Sequence, residues 1–76
     1  MGDAAAISGL GFCYQNGIGV EKDGQKAFEY YQKSANMGNS EGTRMVGFCY
    51  QNGIGVEKDE QKAFEYYQES ADMGIC

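Results

Sequence analysis

The sequence predicts an all-α fold, an α/α superhelix (solenoid) of two helix-turn-helix repeats with a 36-residue period. The repeat is the main observation: a shift of 36 residues places Gly11–Gly38 on Gly47–Gly74, with 25 of 28 positions identical. The second observation is that capping residues and glycines divide each period into two segments of helical spacing. No segment has the alternation typical of a strand.

The first helix of each repeat (helix A) begins after a suitable N-cap, Asp3 or Asn39. It is predicted to end near Asn16 or Asn52, because the glycine that follows can adopt the left-handed conformation. Gly11 lies where a side chain would hold the partner helix away, so close helix contact is expected there. The stripe of the first copy that we expect to face the core consists of Ala6, Leu10, Cys13 and Tyr14.

A glycine-containing loop joins the two helices, and its apolar residues Ile18 and Val20 are expected to turn inward. The second helix (helix B) begins after Asp23 or Asp59 and is predicted to run to the glycine that closes each repeat. Its core stripe in the first copy is predicted to be Ala27, Tyr31, Ser34 and Ala35.

These boundaries give a first repeat at residues 3–38 and a second at residues 39–74. Residues 1–2 are in register with the end of the first repeat and are interpreted as the end of a preceding repeat. The chain is therefore expected to be a fragment of a longer array. Because roughly three repeats are needed for stability, the isolated chain is expected to be marginally stable or to self-associate through its open ends.

Sixteen equivalent positions of the two copies form a series with fixed spacing, and the residues are identical except at Ala6/Gly42, Leu10/Val46 and Lys33/Glu69. In the first copy they are Ala6, Leu10, Gly11, Tyr14, Gly17, Gly19, Val20, Asp23, Lys26, Ala27, Tyr30, Tyr31, Lys33, Ser34, Ala35 and Gly38. In the second they are Gly42, Val46, Gly47, Tyr50, Gly53, Gly55, Val56, Asp59, Lys62, Ala63, Tyr66, Tyr67, Glu69, Ser70, Ala71 and Gly74. This series resembles the Sel-one-like repeat, a relative of the tetratricopeptide repeat (TPR-like). The resemblance covers nearly the whole chain.

Two departures from the family pattern stand out. Tyr30 and Tyr66 replace a tryptophan, and in the second copy Gly42 and Val46 replace alanine and leucine. The latter pair is expected to make the first helix of the second copy less stable. The resemblance implies a non-catalytic protein–protein interaction scaffold or adaptor. Two alternatives remain open: a regulatory or substrate-recruiting tail of a larger enzyme such as a kinase-like protein, and a structural spacer without a direct ligand.

In repeat solenoids of this kind the A helices line the partner-binding concave face. The candidate binding residues are Ala5, Ser8, Phe12, Gln15, Asn16, Glu41, Arg44, Phe48, Gln51 and Asn52. Phe12 and Phe48 are the candidate anchors, because aromatic side chains ringed by polar groups dominate many interfaces. The alternative is that both phenylalanines fill space between repeats. Residues 4–10 and 40–46 share no identity. Either the two copies present different contacts to a partner, or their sequences have drifted.

The residue inventory argues against catalysis, cofactors and metal binding. The chain has no histidine, and Gly17 and Gly19 lack the third glycine of a nucleotide-binding turn. Three cysteines, Cys13, Cys49 and Cys76, do not form a disulfide framework. The first two are expected to lie about 8–10 Å apart, too far for a bridge. We interpret them as small buried residues, which predicts a cytoplasmic or other reducing compartment; the role of Cys76 stays open.

The charge pattern limits the class of partner. The net charge of −5 and the absence of a basic stripe argue against nucleic acid and against an anionic membrane surface. The first repeat carries 3 basic and 4 acidic residues and the second 3 and 7, so most of the charge lies in the second. The expected partner is a protein or peptide. The acidic surface is either merely solvated or favours a basic segment.

Overall fold

Two helical hairpins stand side by side in the structure, a computed structural model that describes residues 3–74. The four helices are α1 (Ala4–Asn16), α2 (Gly24–Asn36), α3 (Ser40–Asn52) and α4 (Glu60–Gly74). Within residues 3–74 there is no strand. Helix α1 packs on α2, α3 packs on α4, and α2 packs on α3, so that the hairpins form a slab of 32 × 31 × 16 Å. The predicted all-α repeat architecture is confirmed.

The helix ends follow from the predicted caps. The side chain of Asp3 accepts a hydrogen bond from the backbone N–H of Ala5, at 3.1 Å, and Asp23 does the same for the N–H groups of Gln25 and Lys26. Gly17 ends α1 with φ +69° and its N–H bonds to the last turn. Helix α2 ends at Asn36, slightly before the predicted glycine.

Close contact between the two helices of a hairpin depends on glycine in helix A. A Cβ atom on Gly11 would stand 2.8 Å from the ring of Tyr31 and 3.1 Å from the carbonyl oxygen of Ala27. The close approach expected at Gly11 is therefore present. The predicted stripe of α2 is also confirmed, because Ala27, Tyr31 and Ser34 are buried and Ala35 is half-buried.

The predicted core stripe of α1 is wrong in part. Ala6 is exposed and Leu10 is 44% exposed, whereas their counterparts Gly42 and Val46 are buried. The physical reason is that burial of this stripe depends on a helix from a neighbouring repeat as well as on the partner helix. Helix α2 covers it in the second copy, and no described residue covers it in the first. Cys13 and Tyr14, the rest of the stripe, are half-buried.

The loop of the first repeat differs from expectation for the same reason. Ile18 is 52% exposed and Val20 is 37% exposed. Their counterparts Ile54 and Val56 are half-buried and pack against the core, where the start of α2 approaches the loop. An apolar loop residue turns inward only where a neighbouring repeat provides something to pack against.

The interpretation of residues 1–2 as the end of a preceding repeat, and the open question of Cys76, lie outside the described residues. Of the helices described, none has both the length and the apolar character that crossing a membrane requires. Cys13 and Cys49 are free thiols. Burial raises the pKa of the Cys49 thiol to about 12.

Candidate functional site

A cavity of about 340 Å³ opens between the two A helices. Helix α1 provides one wall, α3 provides the other, and the ring of Tyr31 reaches it from α2. We call it the A-helix cavity and define it by its lining residues, which are Ala5, Ser8, Gly9, Phe12, Tyr31, Glu41 and Met45. Its volume lies at the low end of the range found for ligand pockets.

Gly9 contributes a part of the cavity wall that has no side chain. A Cβ atom added to Gly9 would meet nothing within 4 Å, which shows that the space beside it is open. The counterpart of Gly9 in the second repeat is Met45, whose side chain lies on the opposite wall. Phe12, one turn further along α1, is 50% exposed and presents an apolar surface to the same space.

The floor of the A-helix cavity is held by satisfied hydrogen bonds. The Tyr31 hydroxyl donates to Oε1 of Gln15 at 2.6 Å, and burial raises the pKa of Tyr31 to about 12, so the hydroxyl stays protonated at neutral pH. The hydroxyls of Ser8 and Ser34 are 2.7 Å apart, and that of Ser34 also donates to the carbonyl oxygen of Ala4. Such bonds fix the floor before any ligand arrives.

The rim carries one pair of opposite charges. A terminal nitrogen of Arg44 lies 3.8 Å from a carboxylate oxygen of Glu41, and both side chains are more than half exposed. An exposed pair of this kind contributes little to stability, so either group is free to exchange its partner for a charge on a ligand. Helix α1 carries no charged residue, which leaves the other wall uncharged.

The structure brings four of the ten predicted binding residues together around this cavity: Ala5, Ser8, Phe12 and Glu41. Arg44 lies beside Glu41 on the rim. Phe48 is half-buried and is not among the lining residues. Neither phenylalanine belongs to the buried core. A binding role for these residues stays a prediction.

The remaining predicted residues make structural bonds. Gln15 and Gln51 accept the hydroxyl protons of Tyr31 and Tyr67, each at 2.6 Å. Asn16 and Asn52 donate from their side chains to the carbonyl oxygens one turn earlier, at 3.0 Å, and so close the last turn of each A helix. These amides stabilise the fold at the edges of the candidate site.

Sequence reasoning missed three lining residues, Gly9, Tyr31 and Met45. Tyr31 was predicted to be a core residue, and it is both buried in the core and part of the cavity lining. The signal for the other two was the lack of identity between residues 4–10 and 40–46, since the glycine of one copy opposes the methionine of the other. A single A helix considered alone does not reveal a gap that only two neighbouring helices enclose.

The opposite side of the slab is built from stacked aromatic rings. Tyr14 stacks on Tyr30 at a centroid distance of 5.6 Å, and Tyr50 stacks on Tyr66 at 5.7 Å. The ammonium of Lys26 lies 5.8 Å above the ring of Tyr14. The ammonium of Lys62 lies 5.5 Å above the ring of Tyr50 in the second repeat.

Two observations concern metal binding and the reactivity of the buried thiol. Among residues 3–74, no three histidine, cysteine, aspartate or glutamate side chains are grouped closely enough to hold a metal ion. The buried Cys49 thiol, with its raised pKa, is a poor nucleophile at neutral pH.

Comparison with known sequences places the chain among repeat proteins. The family model described as Sel1 repeat matches residues 4–39 and again residues 40–75. A curated relative, DAP3-binding cell death enhancer 1 of Rattus norvegicus, is 47% identical over 38 residues. That match covers 50% of this chain and 8% of the rat protein, so the chain corresponds to a small part of it.

Solved structures agree with the arrangement of the helices. A Sel1 repeat protein from Oxalobacter formigenes superimposes with a TM-score of 0.88 and 31% identity over 92% of this chain and 29% of that one. Cysteine rich protein B (hcpB) of Helicobacter pylori gives a TM-score of 0.86 and 31% identity over 93% of this chain and 53% of that one. The chain spans about a third and about half of these two proteins.

Proposed function

Because the chain belongs to the Sel1 repeat family, whose members are generally protein-interaction scaffolds, we propose that it binds a protein or peptide segment in the A-helix cavity and catalyses no reaction. The observation that carries the proposal is the open space beside Gly9, next to a phenylalanine that is 50% exposed. A half-exposed aromatic ring beside an apolar cavity favours an apolar ligand group.

The lining residues indicate what the ligand segment presents. One large apolar side chain would fill the space beside Gly9 and contact Phe12 and Met45. A neighbouring cation on the ligand would meet Glu41 at the rim in place of Arg44. The net charge of −5 assists the approach of such a basic segment. The name of the rat relative, a DAP3-binding protein, supports a protein as the class of partner.

The free thiols support a proposal about location. Cys13 and Cys49 are unpaired, and such cysteines are typical of proteins from reducing compartments. We propose that the binding function is exercised in the cytoplasm or another reducing compartment.

Selection from a random peptide library displayed on phage tests the proposed function without a known partner. Peptides would be selected on the immobilised chain and their affinity measured for wild type and Gly9→Met. The Gly9→Met change copies the residue found in the second repeat and fills the cavity. We expect it to weaken binding at least about tenfold, as loss of a hot-spot contact does.

Phe64→Ala is the matched control for this experiment. Phe64 is 65% exposed and lies outside the A-helix cavity, so its truncation removes an exposed ring without changing the proposed site. The affinity of Phe64→Ala for the selected peptides should equal that of wild type. Selected peptides that bind wild type and Gly9→Met equally would contradict the proposed function.

A further inference from the structure

Each A helix ends in an asparagine that is followed directly by glycine. The two pairs are Asn16-Gly17 and Asn52-Gly53, and both asparagine side chains are exposed. An asparagine can cyclise with its own backbone when the nitrogen of the next residue attacks the side-chain amide carbon. Glycine obstructs that attack least, because it has no Cβ atom. The chain therefore carries the same chemically labile dipeptide at the same place in each repeat.

The reaction that this dipeptide undergoes is deamidation, and water is its co-reactant. Hydroxide removes the proton of the glycine N–H, and the nitrogen forms a bond to Cγ of the asparagine. The bond from Cγ to Nδ2 then breaks, and Nδ2 takes a proton from water and leaves as ammonia. Water adds to one carbonyl carbon of the resulting succinimide ring and breaks its bond to the ring nitrogen, which gives aspartate or isoaspartate. In total one water is consumed and one ammonia is released for each asparagine.

The native fold holds the reacting atoms of the first pair in the wrong arrangement. Asn16 is the last residue of α1, and its helical backbone turns the nitrogen of Gly17 away from Cβ, whereas ring closure needs the two on the same side. The N–H of Gly17 is bonded to the carbonyl oxygen of Cys13. Nδ2 of Asn16 donates to the carbonyl oxygen of Phe12 at 3.0 Å, which restrains the side chain. All three features recur in the second repeat.

We propose that Asn16 and Asn52 are deamidation sites that react when the last turn of their A helix opens. Opening releases the glycine N–H from its carbonyl partner, frees the backbone of the asparagine to rotate and lets hydroxide reach the nitrogen. Helix ends open at a lower free energy than a core, so the fold slows the reaction without preventing it. The rate in the native chain is then the rate of the unfolded segment multiplied by the fraction of molecules that are open. The proposal does not depend on the A-helix cavity.

The other two asparagines of the chain are not expected to react at a comparable rate. Asn36 precedes Met37 and Asn39 precedes Ser40, so a side chain on the following residue hinders attack by its nitrogen. Asn39 is restrained further, because its Oδ1 accepts a hydrogen bond from the N–H of Gly42 at 2.8 Å. These two asparagines serve as internal controls in every measurement on the intact chain.

Deamidation at Asn16 should keep the last turn of α1 open. The carboxylate of the product has no N–H to donate to the carbonyl oxygen of Phe12. It also places a negative charge beside the last carbonyl groups of the helix, where the helix dipole is already negative. Isoaspartate adds a carbon atom to the main chain, so the helical hydrogen bonds that span it lose their register. The modified chain is thus expected to exchange the N–H of Gly17 with solvent faster than the unmodified chain.

Peptide mapping by mass spectrometry on the intact chain tests the proposal. Samples are kept at pH 8 with a reducing agent, with and without guanidinium chloride, and far-UV circular dichroism verifies which samples are folded. We expect the mass change of an NH₂-to-OH exchange at Asn16 and Asn52 in both, at least about tenfold more slowly in the folded chain. Asn36 or Asn39 reacting as fast as Asn16 in denaturant, or no reaction at Asn16 and Asn52 there, would overturn the assignment of the sites.

Hydrogen exchange of the glycine amides tests whether opening of the turn controls the reaction. The N–H groups of Gly17 and Gly53 should be protected in the folded chain by a factor similar to the slowing of deamidation at their asparagines. Asn16→Gln is the control variant, because glutamine must close a larger ring and does so slowly. It should remove the modification at the first site and leave the rate at Asn52 unchanged. Deamidation that is as fast in the folded chain as in denaturant would overturn control by the fold.

Discussion

Gly42 of α3 lies against Ser34 of α2 so closely that a Cβ atom on the glycine would stand 2.6 Å from the serine hydroxyl oxygen and 2.8 Å from the backbone nitrogen of Ala35. This contact sets the spacing of the two repeats. Ser34 is itself fixed, because its hydroxyl bonds to Ser8 and to the carbonyl oxygen of Ala4. The glycine that lowers the helix propensity of α3 is therefore the residue that permits the repeats to pack.

Replacing Gly42 with alanine should destabilise the chain. Helix propensity alone favours alanine by about 1 kcal/mol, but the added methyl group would overlap Ser34 and the backbone of α2. Overpacking of this kind costs about 1–3 kcal/mol, so a net loss in the free energy of unfolding is expected from urea denaturation.

Gly9→Ala is the matched control for that substitution. Gly9 lies in an A helix as Gly42 does, yet its Cβ position is empty. The change should stabilise the chain by about 0.5–1 kcal/mol through helix propensity. If both alanine variants gain stability, the close contact at Gly42 does not set the repeat spacing.

Tyr31→Phe should lower the free energy of unfolding by about 1 kcal/mol, because the buried tyrosine loses its bond to Gln15. Tyr67→Phe removes the same 2.6 Å bond, to Gln51, at the more exposed end of the second repeat, and should cost less. Thermal or urea denaturation of the two variants measures the difference. Equal losses in the free energy of unfolding would show that the bond from Tyr31 to Gln15 contributes no more than the bond from Tyr67 to Gln51.

Alkaline pH should destabilise the fold through Cys49. Burial raises its pKa from the ordinary 9.0 to about 12. Below pH 9 both states keep the proton, and above it the unfolded thiol ionises while the folded thiol does not. The free energy of unfolding should then fall with rising pH, by roughly 1.4 kcal/mol per pH unit from this group between about pH 9 and pH 12.

Tyr31, whose pKa burial raises from 10.0 to about 12, acts in the same direction over a narrower range. Urea denaturation at pH 8 and pH 10.5, with a reducing agent present, measures the total. Cys49→Ala is the control: it should be less stable at pH 8 and should show a smaller decline with pH. An unchanged decline in this variant would mean that Cys49 is not the group responsible.

Phe12→Ala combined with Phe48→Ala should abolish capture of a selected peptide while leaving most of the helical circular dichroism in place. Phe12 is 50% exposed and Phe48 is half-buried, so neither truncation opens a large cavity in the core. The affinity assay and the spectrum are recorded on the same samples. Loss of the helical signal would instead assign both rings to the core.

The sequence was sufficient for the helices and their order, because capping residues and glycines act locally. Asp3, Asp23 and Gly17 hold the positions that their side chains and backbone freedom predict. It was insufficient for burial on the A helices. Leu10 and Val46 occupy equivalent positions, yet one is exposed and the other is buried, since burial depends on the neighbouring repeat.

The candidate site was predicted only in outline for a related reason. The A helices were identified, and Phe12, Ser8 and Glu41 line the cavity between them. Gly9 was missed because its contribution is an absent side chain opposite Met45, and that relationship exists only once two helices are adjacent.

Nuclear magnetic resonance with a selected peptide tests the central claim, that the space between the two A helices receives a ligand, most directly. Titrating the ¹⁵N-labelled chain should shift the amide signals of Gly9, Phe12 and Met45, with small changes at Lys26 and Glu29 on α2. Shifts concentrated on Lys26 and Glu29, with Gly9 and Phe12 unmoved, would place binding on the opposite side and contradict the account.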